Sequence, residues 1–396
     1  MASIKQYILT VNGGSSSIKF ALFKQSDVPD LIFSGKIEKI GLPQAIMQVK
    51  GVDEADNETR AIAAPDIASS VKILIDWLKN HLKGDLFTAI GYRIVHGGPK
   101  YFHPEVITDE MIEELDKLSS FDPNHMPENI LLVKVFRKQF PDALHVACFD
   151  TAFHHDLPQV ARLLPIPRRF EKLGVRRYGF HGLSYQSVME QLHQSVIANG
   201  RLILAHLGSG VSLTAVNNGK SIDTSMSFTP ASGVPMGTRS GDIDPGLVWY
   251  LSQTAGLDAK KINEMVNFQS GLLGMSETSS DMYELLQRQD KDPRAKEAIS
   301  VFCYQVKKWI GGFAASLGGI DALVFTGGMG ENAPQIRRQI CENLGFLGIE
   351  LDEEQNKRNA DIISKAASQV PVYIIHTNEE LTIAKLVQGV LEHKSA

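Results

Sequence analysis

The chain has 396 residues, 43% of them hydrophobic and 21% charged, with a formal net charge of −5. That length supports two ordinary domains with sizeable cores. The acidic balance argues against nucleic acid as a partner, and no apolar run reaches membrane-spanning length, so no membrane is expected and the cytoplasm is the expected compartment.

A strand over residues 7–11 runs into the turn Asn12-Gly13-Gly14-Ser15-Ser16-Ser17. Strands follow over 18–23 and 31–37, with a polar break at 24–30 between them. Such a turn exposes backbone N–H groups with no bulky side chain in front of them, which suits a phosphate. Residues 53–58 read as an acidic surface loop. A helix spans 64–83, with Ile67, Val71, Leu74 and Leu78 on one face and Pro65 near its start. Short strands at 90–95 and 145–149 end in polar residues. Arg93 lies inside the first, where a guanidinium in an apolar strand needs an anionic partner, structural or bound. Asp150 ends the second and can cap a helix or hold a metal. His154-His155 reads as a solvated helix start rather than a metal pair. His181, in Arg176-Arg177-Tyr178-Gly179-Phe180-His181-Gly182, is flanked by glycine at a helix start and can donate to an anion.

The second half repeats the plan. A strand at 202–207 leads into His206-Leu207-Gly208-Ser209-Gly210, then a strand at 211–216, the tight turn Asn217-Asn218-Gly219 and a strand at 220–226. Gly219-Lys220-Ser221 looks like the end of a Walker A loop, but Thr214 stands where that pattern needs glycine. Arg239 lies in the polar run Met236-Gly237-Thr238-Arg239-Ser240-Gly241-Asp242, which is poor core material and suits a ligand. Helices are expected over 292–317 and 378–393, and strands over 322–326 and 370–375. Gly328-Met329-Gly330-Glu331-Asn332-Ala333 follows a strand and precedes a helix. That fits a dinucleotide fingerprint, or a helix N-terminus receiving an adenosine or phosphate. Cys148, Cys303 and Cys341 form no Cys-x-x-Cys and read as buried thiols. Alternating strands and helices, with the same opening in each half, define an α/β class.

In order along the chain these segments resemble the acetokinase family, within the superfamily of sugar kinases, actin and heat-shock ATPases. The matching runs are Asn12 through Phe20, the Arg93 strand, Phe149-Asp150-Thr151-Ala152-Phe153-His154, Arg176 through Gly182 and His206 through Gly210. They continue with Asp223-Thr224-Ser225-Met226, Met236 through Pro245, Phe325 through Asn332 and Thr377-Asn378-Glu379-Glu380-Leu381. The resemblance implies two ribonuclease-H-like domains of duplicated topology around a nucleotide cleft. Their expected limits are 1–149, with a C-terminal helix at 382–396 packing back on it, and 150–381. It implies a homodimer that transfers a phosphoryl group from ATP to acetate, giving acetyl phosphate and ADP, with Mg²⁺ or Mn²⁺ as cofactor.

Family roles follow residue by residue. Asn12 and Glu379 correspond to metal-site residues, and Lys19 to a phosphate contact. Arg93 and Arg239 correspond to clamps on the carboxylate and the transferring phosphoryl group. His181 corresponds to a transition-state stabiliser and Asp150 to the catalytic carboxylate. Val95, Asn124, Phe180 and Pro230 fall on the acyl pocket. His206, Leu207, Gly208, Ser209, Gly210, Asp281, Met282, Tyr283, Gly328, Met329, Gly330, Glu331 and Asn332 fall on the nucleotide segments. A carboxylate substrate is already ionised at neutral pH, so Asp150 is expected to orient Mg²⁺ or its water rather than to abstract a proton.

The chain also departs from the family pattern. Asn124 stands where leucine is usual, Ser209 where asparagine is, Tyr283 where arginine is, and Leu183 and Tyr185 where threonine and histidine are. A polar Asn124 suits a hydroxylated acid or faces water. Propionate is the nearest alternative substrate, because one methylene in an apolar pocket is worth only about 1–3 kcal/mol. Two other classes fit less of the sequence. A dehydrogenase built on Gly328 to Ala333 leaves Arg93, His181 and both turns without a shared purpose. A non-catalytic ATP-driven switch has no use for two arginines and a histidine directed at a second anion.

Overall fold

The computed structural model describes residues 7–14, 16–82, 87–193 and 196–395. Ser15 of the first turn and Lys83 of the first expected helix lie outside these. The chain divides into two compact units, Met1–Ala152 with Asn378–Ala396, and Phe153–Thr377.

The first unit holds one sheet. Its strands are β1 (Tyr7–Gly14), β2 (Ser17–Lys24), β3 (Asp30–Glu38), β4 (Ile46–Gly51), β5 (Glu58–Ala61), β6 (Phe87–Ile94), β7 (Glu105–Val106) and β8 (Leu144–Phe149). Their spatial order is β5-β4-β3-β2-β1-β6-β8-β7. The second unit holds β9 (Arg201–Leu207), β10 (Val211–Asn217), β11 (Lys220–Thr224), β12 (Ala322–Thr326) and β13 (Val372–Ile374), in the order β11-β10-β9-β12-β13. In each sheet the first three strands form an antiparallel meander, and two later strands, β6 and β8 in the first sheet and β12 and β13 in the second, run parallel to the first. The strands β3-β2-β1-β6-β8 therefore repeat as β11-β10-β9-β12-β13, and β4, β5 and β7 are additions to the first sheet. β1 and β9 are central, and their near-continuous apolar runs match burial on both faces.

The expected strands lie in place, with one informative difference. The β1–β2 ladder continues past the apolar run to Gly14 opposite Ser17, so Asn12 is a strand residue directly across from Lys19. Backbone pairing needs no apolar side chain. The residues read as an acidic loop include a 3-10 turn at Glu54–Asp56, and Glu58 already begins β5. The helix expected over 64–83 spans Ile67–Leu82 and buries Val71, Leu74 and Leu78 in the first unit's core. The long helix of the second unit, Pro293–Leu317, begins with Asp292 accepting from Arg294 N and Ala295 N and stops at Gly318 in the left-handed region.

The unit boundaries fall three or four residues from 149/150 and 381/382. Asp150 N still donates to Ile94 O (2.9 Å), which continues the β6–β8 pairing. Asn378 caps the last helix, Glu379–Ser395, by accepting from Leu381 N (3.0 Å). That helix packs on β1, β6 and β8. One reading is corrected: His154 is not solvated. It is 2% exposed, with Nδ1 at 2.8 Å from Ser221 Oγ and Nε2 at 3.0 Å from Phe180 O. A buried imidazole needs both nitrogens satisfied, and this site does so without a metal. All three cysteines are buried thiols, and burial pushes each thiol up. Among the described residues no helix is long and apolar enough to cross a membrane.

Candidate functional site

The polar residues at the ends of the central strands form one set in each unit. In the first unit, Arg93 stands at the end of β6 and Asp150 just past β8, which pair in parallel. Arg93 Nη2 donates to Asp150 Oδ2 at 2.7 Å, and Nη1 reaches Asn12 Oδ1 at 3.4 Å. Asp150 is fully buried, and the Arg93 side chain is 16% exposed. Burial works against the charge on Arg93, but the Asp150 and Glu379 carboxylates outweigh it and raise the guanidinium above its ordinary value. Arg93 Nε is buried with no hydrogen-bond partner among the described residues.

Asn12 Nδ2 donates to Glu379 Oε2 at 2.9 Å, which ties the first strand to the last helix. The neighbouring Glu380 was not singled out in the sequence, although it stands beside Glu379. Its Oε1 is buried without a partner among the described residues. Burial, then the charge of Glu379, raises its carboxyl, while Lys19 and Arg93 oppose the shift. Among the described residues no three His, Cys, Asp or Glu side chains cluster to hold a metal. The oxygen-rich set of Asn12, Glu379 and Glu380 still fits Mg²⁺, which takes one or two protein ligands and keeps water or phosphate oxygens for the rest. Val95 is buried, and Asn124 is half-buried with its N–H on Asp122 Oδ1 (3.3 Å).

The set in the second unit surrounds the β9–β10 turn. His181 caps the helix Gly182–Leu192 with φ of 59°, a left-handed conformation uncommon outside glycine. Its Nδ1 meets Ser212 Oγ at 2.8 Å, and Ser212 Oγ also meets Tyr185 Oη. His206 Nδ1 meets Ser184 Oγ at 2.8 Å. The two imidazoles stack, with centroids 4.3 Å apart and planes 27° apart. Both Nε2 atoms look toward the glycines of the turn. A Cβ on Gly210 would stand 3.1 Å from His181 Nε2 and 3.6 Å from Arg239 Nη1, and one on Gly208 would stand 3.1 Å from His206 Nε2. Arg239 is half-buried, with Nη1 on Pro230 O (3.2 Å). Gly237 N donates to Ser209 O (3.4 Å), which links the arginine loop to the turn. His181, His206, Gly208, Ser209, Gly210, Pro230 and Arg239 are thus one neighbourhood, with Phe180 buried behind it.

The remaining expected residues hold local roles. Asp281 caps the helix Met282–Arg288 by accepting from Tyr283 N (2.8 Å); Met282 is buried and Tyr283 is 70% exposed. The run from Gly328 to Asn332 lies in the short helix Gly327–Asn332. Glu331 folds back, with Oε1 accepting from Gly327 N (2.8 Å) and Oε2 on His376 Nδ1 (2.7 Å). The fully buried Arg337, unremarked in the sequence, donates to Gly330 O (2.9 Å), Asn356 O (2.7 Å) and the Asn356 and Asn359 side chains. A buried cation satisfied by carbonyls fixes the end of this glycine helix.

Two units of repeated topology, each with a glycine hairpin at its central strand, place the protein among the duplicated actin-like ATPase folds. The chain matches the acetokinase family over residues 7–385. It is 42% identical to a propionate kinase of Citrobacter rodentium over 97% of this chain and 96% of that one. It is 40% identical to an acetate kinase of Oceanobacillus iheyensis over 96% of this chain and 97% of that one. The crystal structure of Porphyromonas gingivalis acetate kinase superposes with a TM-score of 0.85 at 35% identity, covering 98% of this chain and all of the other. A propionate kinase from Francisella tularensis superposes with a TM-score of 0.88 at 36% identity, covering 96% and 98%. The chain belongs to the acetokinase family and is a phosphotransferase of the carboxylate kinase class. That membership leaves no place for the dehydrogenase reading of Gly328 to Ala333.

Proposed function

We propose that the protein catalyses reversible phosphoryl transfer from ATP to acetate, giving acetyl phosphate and ADP. The observation that carries this reading is Arg93: a partly buried guanidinium at a strand end, its Nε buried and unpartnered among the described residues, beside Asn12 and Glu379. A group so placed suits a small carboxylate.

The carboxylate is the nucleophile. One of its oxygens forms a bond to the γ-phosphorus while the bond from that phosphorus to the bridging oxygen breaks, and ADP leaves with the electron pair. Acetate is ionised at neutral pH, as a side-chain carboxylate with pKa of about 4.3 is, so no base is required. Asp150, already the acceptor of a 2.7 Å bond from Arg93, aims that guanidinium instead. The obstacle is repulsion between two anions. Arg93 lowers it on the carboxylate side, and Arg239 with the His181 Nε2–H lowers it on the phosphoryl side; fixed donors of this kind carry most of phosphoryl-transfer catalysis. Asn12 and Glu379 would hold Mg²⁺, or Mn²⁺ in its place, which when bound neutralises phosphate charge. Lys19, His206 to Gly210, Asp281 to Tyr283 and Gly328 to Asn332 are assigned to the nucleotide. Val95, Asn124, Phe180 and Pro230 are assigned to the acyl group.

The protein is further proposed to act as a homodimer in the cytoplasm, the compartment that supplies ATP. Every residue of the helix Pro245–Thr254 is at least partly exposed, with Trp249 70% and Tyr250 60% exposed beside Leu247 and Val248, which is unusual for a surface left in water. Light scattering is expected to give twice the mass of one chain, and Trp249→Glu to give a monomer.

The decisive assay traps acyl phosphate as hydroxamate, with acetate, propionate, butyrate and glycolate each tested against ATP, GTP and pyrophosphate. Acetate with ATP is expected to give the highest kcat/KM. A tenfold preference for propionate would replace the substrate, and no product with any pair would remove the enzyme reading in favour of a switch.

A further inference from the structure

Between β1 and β6 the first sheet opens into a fork. The two strands are parallel, and their ladder runs from Tyr7–Phe87 to Val11–Tyr92. The next residues on the two arms are Asn12 and Arg93. On its outer side β1 stays paired with β2 out to Gly14, and β6 with β8 out to Ile94. Where the two functional side chains stand, the backbone ladder between their own strands has ended.

Asn129 spans the fork. Val95 N donates to Asn129 Oδ1 at 3.0 Å, and Asn129 Nδ2 donates to Gly13 O at 3.2 Å. A primary amide offers the same donor and acceptor as a peptide unit, so the side chain adds one more rung across the two arms. Asn129 is 2% exposed and lies in the first turn of the helix Met126–Gln139. That helix can approach because residue 13 is glycine: a Cβ there would run into Leu132 Cδ1.

We propose that Asn129 is a positioning residue. Its amide sets the separation of Asn12 and Arg93, and through it the alignment of the carboxylate with the transferring phosphoryl group. The proposal rests on the phosphotransfer reading above. An aspartate at 129 keeps the shape but sets an oxygen against Gly13 O. An alanine leaves the Val95 N–H and Gly13 carbonyl facing no partner across the fork. A shift of about 1 Å at a reacting centre costs on the order of 10²-fold in rate.

The test uses the full chain carrying Asn129→Ala or Asn129→Asp, each alone and combined with Arg93→Lys, which keeps the charge opposite Asp150. For Asn129→Ala, kcat is expected to fall about 10²-fold and KM for acetate to rise severalfold, with KM for MgATP within about twofold. The losses from Asn129→Asp and Arg93→Lys are expected to combine to less than their product, because both act on one alignment. A residue that merely stabilises the helix would give losses that multiply. Hydrogen exchange over the segment holding Val95 needs no substrate, and it is expected to speed at least tenfold in Asn129→Ala. If that variant does not fold, the isosteric Asn129→Asp carries every measurement. Wild-type kcat in a folded variant, losses that multiply, or unchanged Val95 exchange would each overturn the role while leaving the phosphotransfer reading intact. A wild-type chain that makes no acyl phosphate from any acid would overturn the function, and the role with it.

Discussion

The same hairpin occurs at the head of each sheet, and the two are put to opposite electrostatic use. The β1–β2 hairpin pairs down to Gly14 and Ser17, and its strand delivers Asn12 into a neighbourhood of full charges: Arg93, Asp150, Glu379 and Glu380. The β9–β10 hairpin pairs only to Leu207 and Val211. Its turn, Gly208 to Gly210, faces two stacked imidazoles, each held at Nδ1 by a serine hydroxyl. Topology therefore fixes where a functional residue can stand, at the end of a central strand, and does not fix its chemistry. The first unit gathers charge with compensating charge. The second gathers neutral polar groups, two imidazoles and two serine hydroxyls, around one cation, Arg239.

The largest effects should separate the two arginines. Arg93→Ala and Arg239→Ala are each expected to lower kcat by about 10²–10³ in the hydroxamate assay. Their thermal behaviour should differ. Arg93 is half of a buried ion pair, and removing one partner of such a pair costs about 3–5 kcal/mol. Arg93→Ala should therefore melt well below wild type, whereas Arg239→Ala, on a half-buried loop arginine, should melt within about 2 °C of it. Equal melting temperatures, with turnover lost in both, would mean that the Arg93–Asp150 pair does not stabilise the first unit.

The second set can be probed more gently through its glycine. Gly210→Ala adds a Cβ 3.1 Å from His181 Nε2 at a residue outside the left-handed region, so no backbone strain accompanies it. Turnover should fall at least tenfold with the melting temperature nearly unchanged, because the methyl occupies the space the phosphoryl group needs. Wild-type turnover would move the anion away from this turn. A smaller loss, severalfold in kcat, is expected from Tyr185→Phe. Tyr185 Oη supports the Ser212 hydroxyl that holds His181 Nδ1, so its loss loosens a donor without removing it.

Most of these residues were legible one at a time. Arg93, Asp150, His181 and Arg239 stand out as polar side chains at strand ends, beside glycine or in a polar loop, whereas Asn12 and Glu379 stand out only through the resemblance to the acetokinase family. What links them was not legible. Asn12 bonds Glu379 across 367 positions, and Asn129 bonds Gly13 across 116. Neither partner lies on a periodic face that would announce the contact. Asn129 sits inside an ordinary amphipathic helix, where an asparagine reads as filler. His154 was misread for the converse reason: beside His155 it looked like a surface pair, but burial selected one of the two. The opening hairpin of each sheet was legible from apolar runs and turns, while β4, β5 and β7 were not; nor was the extension of β1 to Gly14, because its added pairs involve backbone alone.

The smallest expected effect concerns Glu128, one residue before Asn129 and half-buried. Burial, then the charge of Asp122, pushes its carboxyl up to about 7 from an ordinary 4.5. Its Oε2 is buried with no hydrogen-bond partner among the described residues. The folded chain thus holds this proton more tightly than the unfolded one. Between pH 4.5 and about 7 the folded state binds more protons, so stability falls as pH rises through that window and stays lower above it. Glu128→Gln removes the penalty. After allowance for solvent screening of a half-buried group, the gain is about 1 kcal/mol, or roughly 2 °C in melting temperature at pH 8. Well below pH 4.5 wild type and variant should converge, because the carboxyl is then protonated in the folded and unfolded chain alike. A gain of the same size at both pH values would mean that the glutamine packs better rather than that a charge was removed. Glu128 shares its helical turn with Asn129, so its ionisation is expected to loosen the fork that carries Asn12 and Arg93. The KM for acetate in wild type should then rise above pH 7 and that rise should vanish in Glu128→Gln; a KM flat with pH would leave the fork independent of this charge.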